Sequence, residues 1–374
     1  MCCDAIGIHY DTSLHSFMKI LAIETSCDET AASIVSVEND ELLVNSNVIS
    51  SQVELHAKWG GVVPNLAARE HTKNIIPVIT KSLETANVTK KDINLIAVTH
   101  GPGLIPALLS GVSASKSLAF AWGKPLIGIH HIEGHIYANW IKNPNIEFPA
   151  LALVVSGGHT QLVLMKKHCA YEIIGQTQDD AVGEAFDKVA RILGLGYPGG
   201  PIISERATTF EKTNQTNDIT LPQPMKNSGD YNFSFSGIKT ATLYLVKNFR
   251  KENNLSDNEQ LPQDFIDAVA HAFQTASTEI LTDKTMKAAM EYNVKSILLA
   301  GGVSANIQLR DLLEQEIEQL TNITFYAPPM EYCLDNAAMI GVATYYRWNI
   351  MTQAEKDILK NGWKDITAKA NRKM

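Results

Sequence analysis

Apolar residues fall into a pattern that the chain uses twice. Residues 19–24 (KILAIE) form the near-continuous apolar run of a buried strand. Residues 25–30 (TSCDET) break it with a polar turn, and residues 31–37 (AASIVSV) read as a returning strand. The same hairpin recurs as 151–156 (LALVVS), a Gly157-Gly158-His159 tip and 160–165 (TQLVLM). A second unit also repeats. Residues 95–99 (LIAVT) make a strand that ends in His100-Gly101-Pro102-Gly103 and leads into a helix of small residues to about Trp122. Residues 296–300 (SILLA) make a strand that ends in Gly301-Gly302-Val303-Ser304-Ala305-Asn306 and leads into a helix to about Leu320. Each half thus has a hairpin first and a strand–glycine loop–helix later, which predicts two α/β domains of related topology. Residues 213–231 are polar and rich in Asn, Pro and Gly, and read as a loop or small insertion.

Composition agrees with this division. A chain of 374 residues is long for one core, and 45% hydrophobic with 19% charged residues is ordinary globular usage. The net charge of −8 shows no basic stripe of the kind that marks a nucleic-acid binder. The five cysteines (Cys2, Cys3, Cys27, Cys169 and Cys333) are odd in number and form no C-x-x-C pair. A disulfide framework and a cysteine-built zinc site are therefore not expected, and a reducing, cytoplasmic setting is. No apolar run approaches a membrane span. Residues 1–17 lack Lys, Arg and an apolar core, so they do not read as a signal peptide. The patterned chain begins at Met18, and the leader reads as disordered or as the product of a misplaced start. Residues 351–374 carry Lys360, Lys364, Lys369, Arg372 and Lys373, a basic tail expected to be a solvated, frayed terminus.

The glycine loops change the picture. Gly101-Pro102-Gly103, Ser156-Gly157-Gly158 and Gly301-Gly302-Val303-Ser304 all stand at strand ends. Without Cβ atoms, successive N–H groups there can form an anion nest, and two of the loops open a helix whose N-terminus favours phosphate. Three such loops at equivalent places point to a nucleotide-like phosphate. Neither G-x-x-x-x-G-K-S/T nor a G-x-G-x-x-G after the first strand occurs, which disfavours P-loop and dinucleotide-binding enzymes.

Residues 125–135 read PLIGIHHIEGH. If the segment from His131 is helical, His131 and His135 lie one turn apart on one face, a spacing that suits two imidazoles on one metal. Glu133 lies about 200° around such a helix from His131, away from a metal-bound water, so it is poorly placed as the base of a metalloprotease. Asp335 is the best candidate for a third ligand, although an Asp335-Asn336 pair opening an apolar helix is most often an N-cap, and on local grounds alone it reads as a cap rather than a ligand. On the helix over 181–193, Asp180, Glu184, Asp187 and Arg191 lie opposite Val182, Phe186, Val189 and Leu193, which by pattern alone is a solvated face.

Seven separated motifs carry a family resemblance. They are IETSCDET at 23–30, GGVVP at 60–64, HIEGH at 131–135, VSGGHT at 155–160, GEAFDK at 183–188, FSFSGIKT at 233–240 and Asp335-Asn336. In order and spacing the chain resembles the TsaD family, formerly called O-sialoglycoprotein endopeptidases, over about residues 18–346, and its WGGVVP at 59–64 resembles the bacterial branch.

The resemblance implies an actin-like ATPase fold of two duplicated α/β domains with a cleft between them. Domain I would be 18–150 plus about 330–350, and domain II 151–329. It implies transfer of the threonylcarbamoyl group of threonylcarbamoyl-adenylate to N6 of adenosine 37 in tRNAs reading codons that begin with A, giving t6A and AMP. It further implies a metal, iron or zinc, on His131, His135 and Asp335. Val154, Val155, Ser156, Gly157, Gly158, Asp187, Gly200 and Asn306 would hold the adenylate, and Asp28 and Glu29 would be carboxylates required for activity. The expected partners are a TsaB-like paralogous subunit and a TsaE-like P-loop ATPase, with a basic tRNA track built across the assembly. The usual Asp-Asn-Gly-Ala is Asp-Asn-Ala-Ala at 335–338, and Asn65 follows GGVVP. A sugar kinase on the same fold would leave the histidines without a purpose, and a paralogous scaffold would lack them.

Overall fold

The computed structural model describes residues 17–374 apart from Asp40. The leader reading therefore lies, Phe17 excepted, outside the described residues. The first half runs β1 (Met18–Glu24), β2 (Glu29–Glu38), β3 (Glu41–Ser51), α1 (Val53–Ala57), α2 (Pro64–Thr85), β4 (Leu95–Gly101), α3 (Ile105–Trp122), β5 (Leu126–His130) and α4 (His131–Tyr137). The second runs β6 (Ala150–Val155), β7 (Thr160–Lys167), β8 (Ala170–Gln176), α5 (Val182–Ile192), α6 (Gly199–Glu211), α7 (Ser236–Glu252), α8 (Gln263–Glu291), β9 (Ser296–Ala300), α9 (Ile307–Glu318) and β10 (Thr324–Tyr326). The chain then adds α10 (Ala337–Ile350) and α11 (Gln353–Leu359).

The duplication is plain in the sheets. One has the order β3-β2-β1-β4-β5 and the other, read from its opposite edge, β8-β7-β6-β9-β10. In both, the first three strands are antiparallel and the last two join in parallel. The apolar runs are continuous because each sheet is covered on both faces. Along β1, Ile20 and Ala22 face one core while Leu21 and Ile23 face another. Along β6, Ala152 and Val154 face the first of these cores and Leu151, Leu153 and Val155 a third. The shared core is the layer between the two sheets, filled by α4 and α10. Helix α10 packs against β1, β2 and α4, so residues after the second half complete the first.

The basic tail differs from expectation. Residues 362–374 form a strap that starts beside Leu126 at the head of β5 and, over residues 369–372, crosses the carboxyl ends of β4 and β5. Ile366 is buried in the core on one face of the first sheet, and Met374 packs on the core of the other face. Between these anchors the strap is held through its backbone. Lys369 donates its N–H to the His100 carbonyl (2.9 Å), and the Ala370 carbonyl accepts the Gly103 N–H (3.1 Å). The Arg372 carbonyl lies 2.9 Å from His130 Nε2. Lys116 reaches the carbonyls of Lys364 and Ile366. A few scattered apolar anchors, Trp363 and Ala368 among them, and a set of main-chain bonds leave little mark in a sequence, which is why composition alone suggested fraying.

Gly101 is where the strap and the sheet meet. Its φ is +143°, and a Cβ there would stand 2.1 Å from the Lys369 carbonyl oxygen. Gly101→Ala is therefore expected to lift the strap, expose Lys369, Arg372 and Lys373 to trypsin, and cost about 1–3 kcal/mol. Limited proteolysis read by mass spectrometry checks this; a wild-type digestion pattern would show that the strap does not rest on the loop.

Candidate metal centre and the facing glycine tip

Helix α4 begins directly after β5, and His130 caps it by accepting the Ile132 N–H. The helical segment expected from His131 is thus present, with both ligand histidines buried on it. Their rings lie 4.6 Å apart, edge to face. Asp335 comes from the turn before α10. The ambiguity of Asp335-Asn336 resolves cleanly: Asn336 caps α10 by accepting the Met339 N–H, which leaves the Asp335 carboxylate free. Asp335 Oδ1 lies 3.0 Å from His135 Nε2 and 3.5 Å from His131 Nε2. One ligand atom from each of the three residues falls within 4.8 Å of the others, an arrangement that could hold a metal ion.

Two observations fit a cation there. His135 is buried, yet neither ring nitrogen makes an aligned hydrogen bond, as expected of a donor atom aimed at a common third point. Asp28 and Glu29, at the polar tip of the β1–β2 hairpin, also converge on the site. Burial first, and then the Asp335 and Asp28 carboxylates, hold the Glu29 acid well above its usual range. Carboxylates gathered in this way repel one another unless a cation intervenes. Without the ion, burial opposes charge on His131, but Asp335 and Glu24 outweigh it and hold the imidazole up at about 9.

Glu24 is a residue that sequence reading passed over. It ends the buried strand β1, fully enclosed, with Oε2 3.1 Å from His131 Nδ1 and accepting the Thr99 hydroxyl. Ser26 Oγ also lies 3.1 Å from that nitrogen. These contacts fix the ring and leave Nε2 for a ligand, the arrangement that orients metal-bound histidines. A carboxylate at the end of an otherwise apolar buried run was the signal that could have found it.

Glu133 points elsewhere, as the helix geometry predicted. Its carboxylate is fully buried and takes both Arg347 guanidinium nitrogens, Nη2 at 2.6 and 2.8 Å and Nε at 3.1 Å, together with the Tyr171 hydroxyl at 2.7 Å. It is held as a structural ion pair and has no freedom to act as a protease base.

The second half presents its hairpin tip to this centre. Burial, and then His131, His130 and His135, hold the His159 imidazole down at about 4, which places the tip within electrostatic reach of the ligands. Gly157 and Gly158 have no atom within 4 Å of where a Cβ would stand. Val154 and Val155 are buried strand residues, so only their backbone can face a ligand. Of the three glycine loops this one has the most room. At 101–103 the strap occupies the expected phosphate nest, and at Gly301 a Cβ would meet the Val155 carbonyl oxygen at 2.4 Å.

The remaining candidates flank the tip. Asp187 is not on a solvated face: it is half-buried and accepts the Gly199 N–H (2.7 Å), beside Gly200, and burial raises its acid. Asn306 caps α9 by accepting the Leu309 N–H and gives its amide hydrogens to Ser204 and Gln274. Tyr197, missed in the sequence, stands between the two groups. Burial, and then Asp28 and Asp187, push its hydroxyl up. The FSFSGIKT motif braces this region, with Ser234 and Ser236 on Asp179 and Lys239 on Asp180. Arg191 of α5 donates to the Gly60 carbonyl and so ties the GGVVP loop to the second half.

Comparisons with known proteins agree with this geometry. The chain shares its fold with two crystal structures of HypF, one in a phosphate- and nucleotide-bound form (TM-score 0.56, 12% identity) and one from T. kodakarensis (TM-score 0.57, 11% identity). Each likeness covers 90% of this chain and just under half of the HypF chain (47% and 48%), and shows the actin-like α/β fold alone. A relative from Thermosipho africanus named tRNA N6-adenosine threonylcarbamoyltransferase is 48% identical over 92% of this chain and 99% of its own length. One of the same name from Bacillus subtilis is 51% identical over 87% of this chain and 89% of its own length. The family model described as TsaD, tRNA N6-adenosine threonylcarbamoyltransferase, matches residues 44–342, and the chain belongs to that family.

Proposed function

We propose that the chain transfers the threonylcarbamoyl group of threonylcarbamoyl-adenylate to N6 of adenosine 37 in tRNAs reading ANN codons, with release of AMP. What carries this reading is the open Gly157-Gly158 tip, whose neighbour His159 feels the charges of His131, His135 and Asp335. The tip offers backbone N–H groups to the adenylate phosphate, which stabilises the charge that grows there as the bond to the carbamoyl carbon breaks. The backbone of Val154, Val155 and Ser156, engaged in the sheet and the turn, holds the tip in place beside the adenylate, and Asp187 and Gly200 line the nucleoside side. Asn306, whose amide is engaged, supports the adenylate by fixing the 301–305 turn. Asp28 or Glu29 positions the attacking N6 amine or a cation.

Two histidines and one carboxylate with open positions are a donor set for ferrous iron, and zinc also fits it. Held by His131, His135 and Asp335, the metal would orient and polarise the carbamoyl carbonyl as a Lewis acid. A TsaB-like subunit and a TsaE-like ATPase complete the working assembly. No described helix is long and apolar enough to cross a membrane, and the cytoplasm is the compartment proposed.

The test is t6A formation from purified chain, both partners, threonylcarbamoyl-adenylate and tRNA, read by mass spectrometry of the nucleosides. Absence of t6A would end this reading. In the same assay Gly158→Ala, which meets no neighbour, is expected to keep the wild-type melting temperature. It should raise the KM for the donor about tenfold, the worth of one charge-assisted hydrogen bond.

A further inference from the structure

The strap concentrates positive charge on an acidic protein. Residues 360–374 hold five cations, Lys360, Lys364, Lys369, Arg372 and Lys373, against one acid, Asp365, while the whole chain carries −8. Among the described residues, no carboxylate pairs with Lys116, Lys364, Lys369, Arg372 or Lys373 in a salt bridge, whereas Lys360 is paired with Asp357. Among the strap cations Arg372 is the least solvated. Arg372 is half-buried beside the Gly101 backbone, and its own carbonyl is tied to His130. The groups around it offer no negative charge. His100 and His130 are imidazoles, which carry no negative charge, and Arg347 is already committed to Glu133.

A partly desolvated guanidinium without a counter-ion is unfavourable unless an anion from outside supplies one. Arginine's planar fork matches a phosphate, and several unpaired cations on one segment match a polyanion better than a single small anion. The place is informative as well. The strap crosses the carboxyl ends of β4 and β5, where open α/β sheets bind their ligands, and it ends at His130, the residue before the metal ligand His131. Residues 343–374 also lie beyond the stretch that the family model matches.

We infer that the C-terminal strap binds the tRNA phosphate backbone, with Lys369, Arg372 and Lys373 holding the RNA beside the metal centre. This rests on the tRNA-modifying reading above. The strap supplies within this chain part of the basic track that its overall charge conceals.

The test uses the full chain in its working assembly with Lys369→Gln, Lys373→Gln and Arg372→Gln, singly and together, and Lys360→Gln as the control. Affinity for tRNA is measured by anisotropy at several salt concentrations. Each strap substitution is expected to weaken binding about threefold to tenfold near 0.1 M salt. It should lower the slope of log K against log salt by roughly 0.7–0.9 for each phosphate no longer held. The KM for tRNA should rise while that for threonylcarbamoyl-adenylate does not, and Lys360→Gln should bind as wild type. Should Arg372→Gln lose stability, the exposed Lys369 and Lys373 variants carry the test by themselves. Wild-type affinity and salt slope in the triple variant would overturn the inference, as would an effect confined to the KM of the adenylate. If instead the wild-type assembly makes no t6A, the reading beneath it fails, and that result is separate.

Discussion

His135→Ala and Asp335→Ala are expected to lose the bound metal and nearly all t6A formation while keeping the fold. The two residues come from different elements, buried His135 on α4 and half-buried Asp335 in the turn before α10, and their side chains meet at 3.0 Å. Removing His135 takes one neighbour from the Asp335 carboxylate, which keeps His131 at 3.5 Å, and leaves a small cavity, together costing about 1–3 kcal/mol. Asp335 caps nothing, because Asn336 does that work, and its loss leaves α10 intact. Metal should fall from about one per chain to less than roughly a tenth, since two ligands are too few to hold it. Turnover should fall at least about a hundredfold, the several kcal/mol that a positioned Lewis acid supplies. Elemental analysis beside circular dichroism and the t6A assay reads all three. Wild-type metal content in both variants would remove the triad.

Arg347→Met is expected to be among the most destabilising single changes outside the hydrophobic cores. It leaves the fully buried Glu133 carboxylate with only the Tyr171 hydroxyl, and stranding a buried charge costs about 3–5 kcal/mol. Glu133→Gln is the milder counterpart. The amide oxygen still accepts from Tyr171 and Arg347, and the guanidinium, one-third exposed, can hydrate, so about 1–2 kcal/mol is expected. Because Glu133 joins α4 to α10, and Tyr171 adds β8 of the other half, the loss should appear as an earlier thermal transition. Glu133→Gln should still bind metal and still form t6A, which a catalytic base could not survive. Equal stability of Arg347→Met and wild type would show that the pair is not what holds these helices together.

Much of the architecture was legible because it rests on periodicity. The hairpins β1–β2 and β6–β7 and the strand–glycine–helix units are continuous apolar runs bounded by polar or glycine turns, and sheets covered on both faces produce such runs. The outer strands were not legible. Residues Glu41–Ser51 (ELLVNSNVISS) mix Asn and Ser with apolar residues because β3 is an edge strand, half-exposed along its length. The site was legible in its ligand residues and not in their division of labour. Local sequence could not assign capping to Asn336 and coordination to Asp335, since both residue types do both. Nor could helical pattern bring Asp187 off a solvated face, because the turn at Gly199 that shelters it folds over from α6. The strap was missed because backbone groups make its bonds, and backbone groups are the same at every position.

The position of Asp335 has a consequence for how the molecule is made. The two histidines emerge from the ribosome with the first half, but the third ligand follows about two hundred residues later, after the whole second half. Until α10 arrives, the face of the first sheet that it covers has no partner either. Closure of the first core is thus a late event of synthesis, coupled to completion of the chain, and capture of a metal by the three residues would be late as well. A nascent chain stalled before residue 335 would carry both histidines without the third donor, so that an ion held by the three would be committed only to finished molecules.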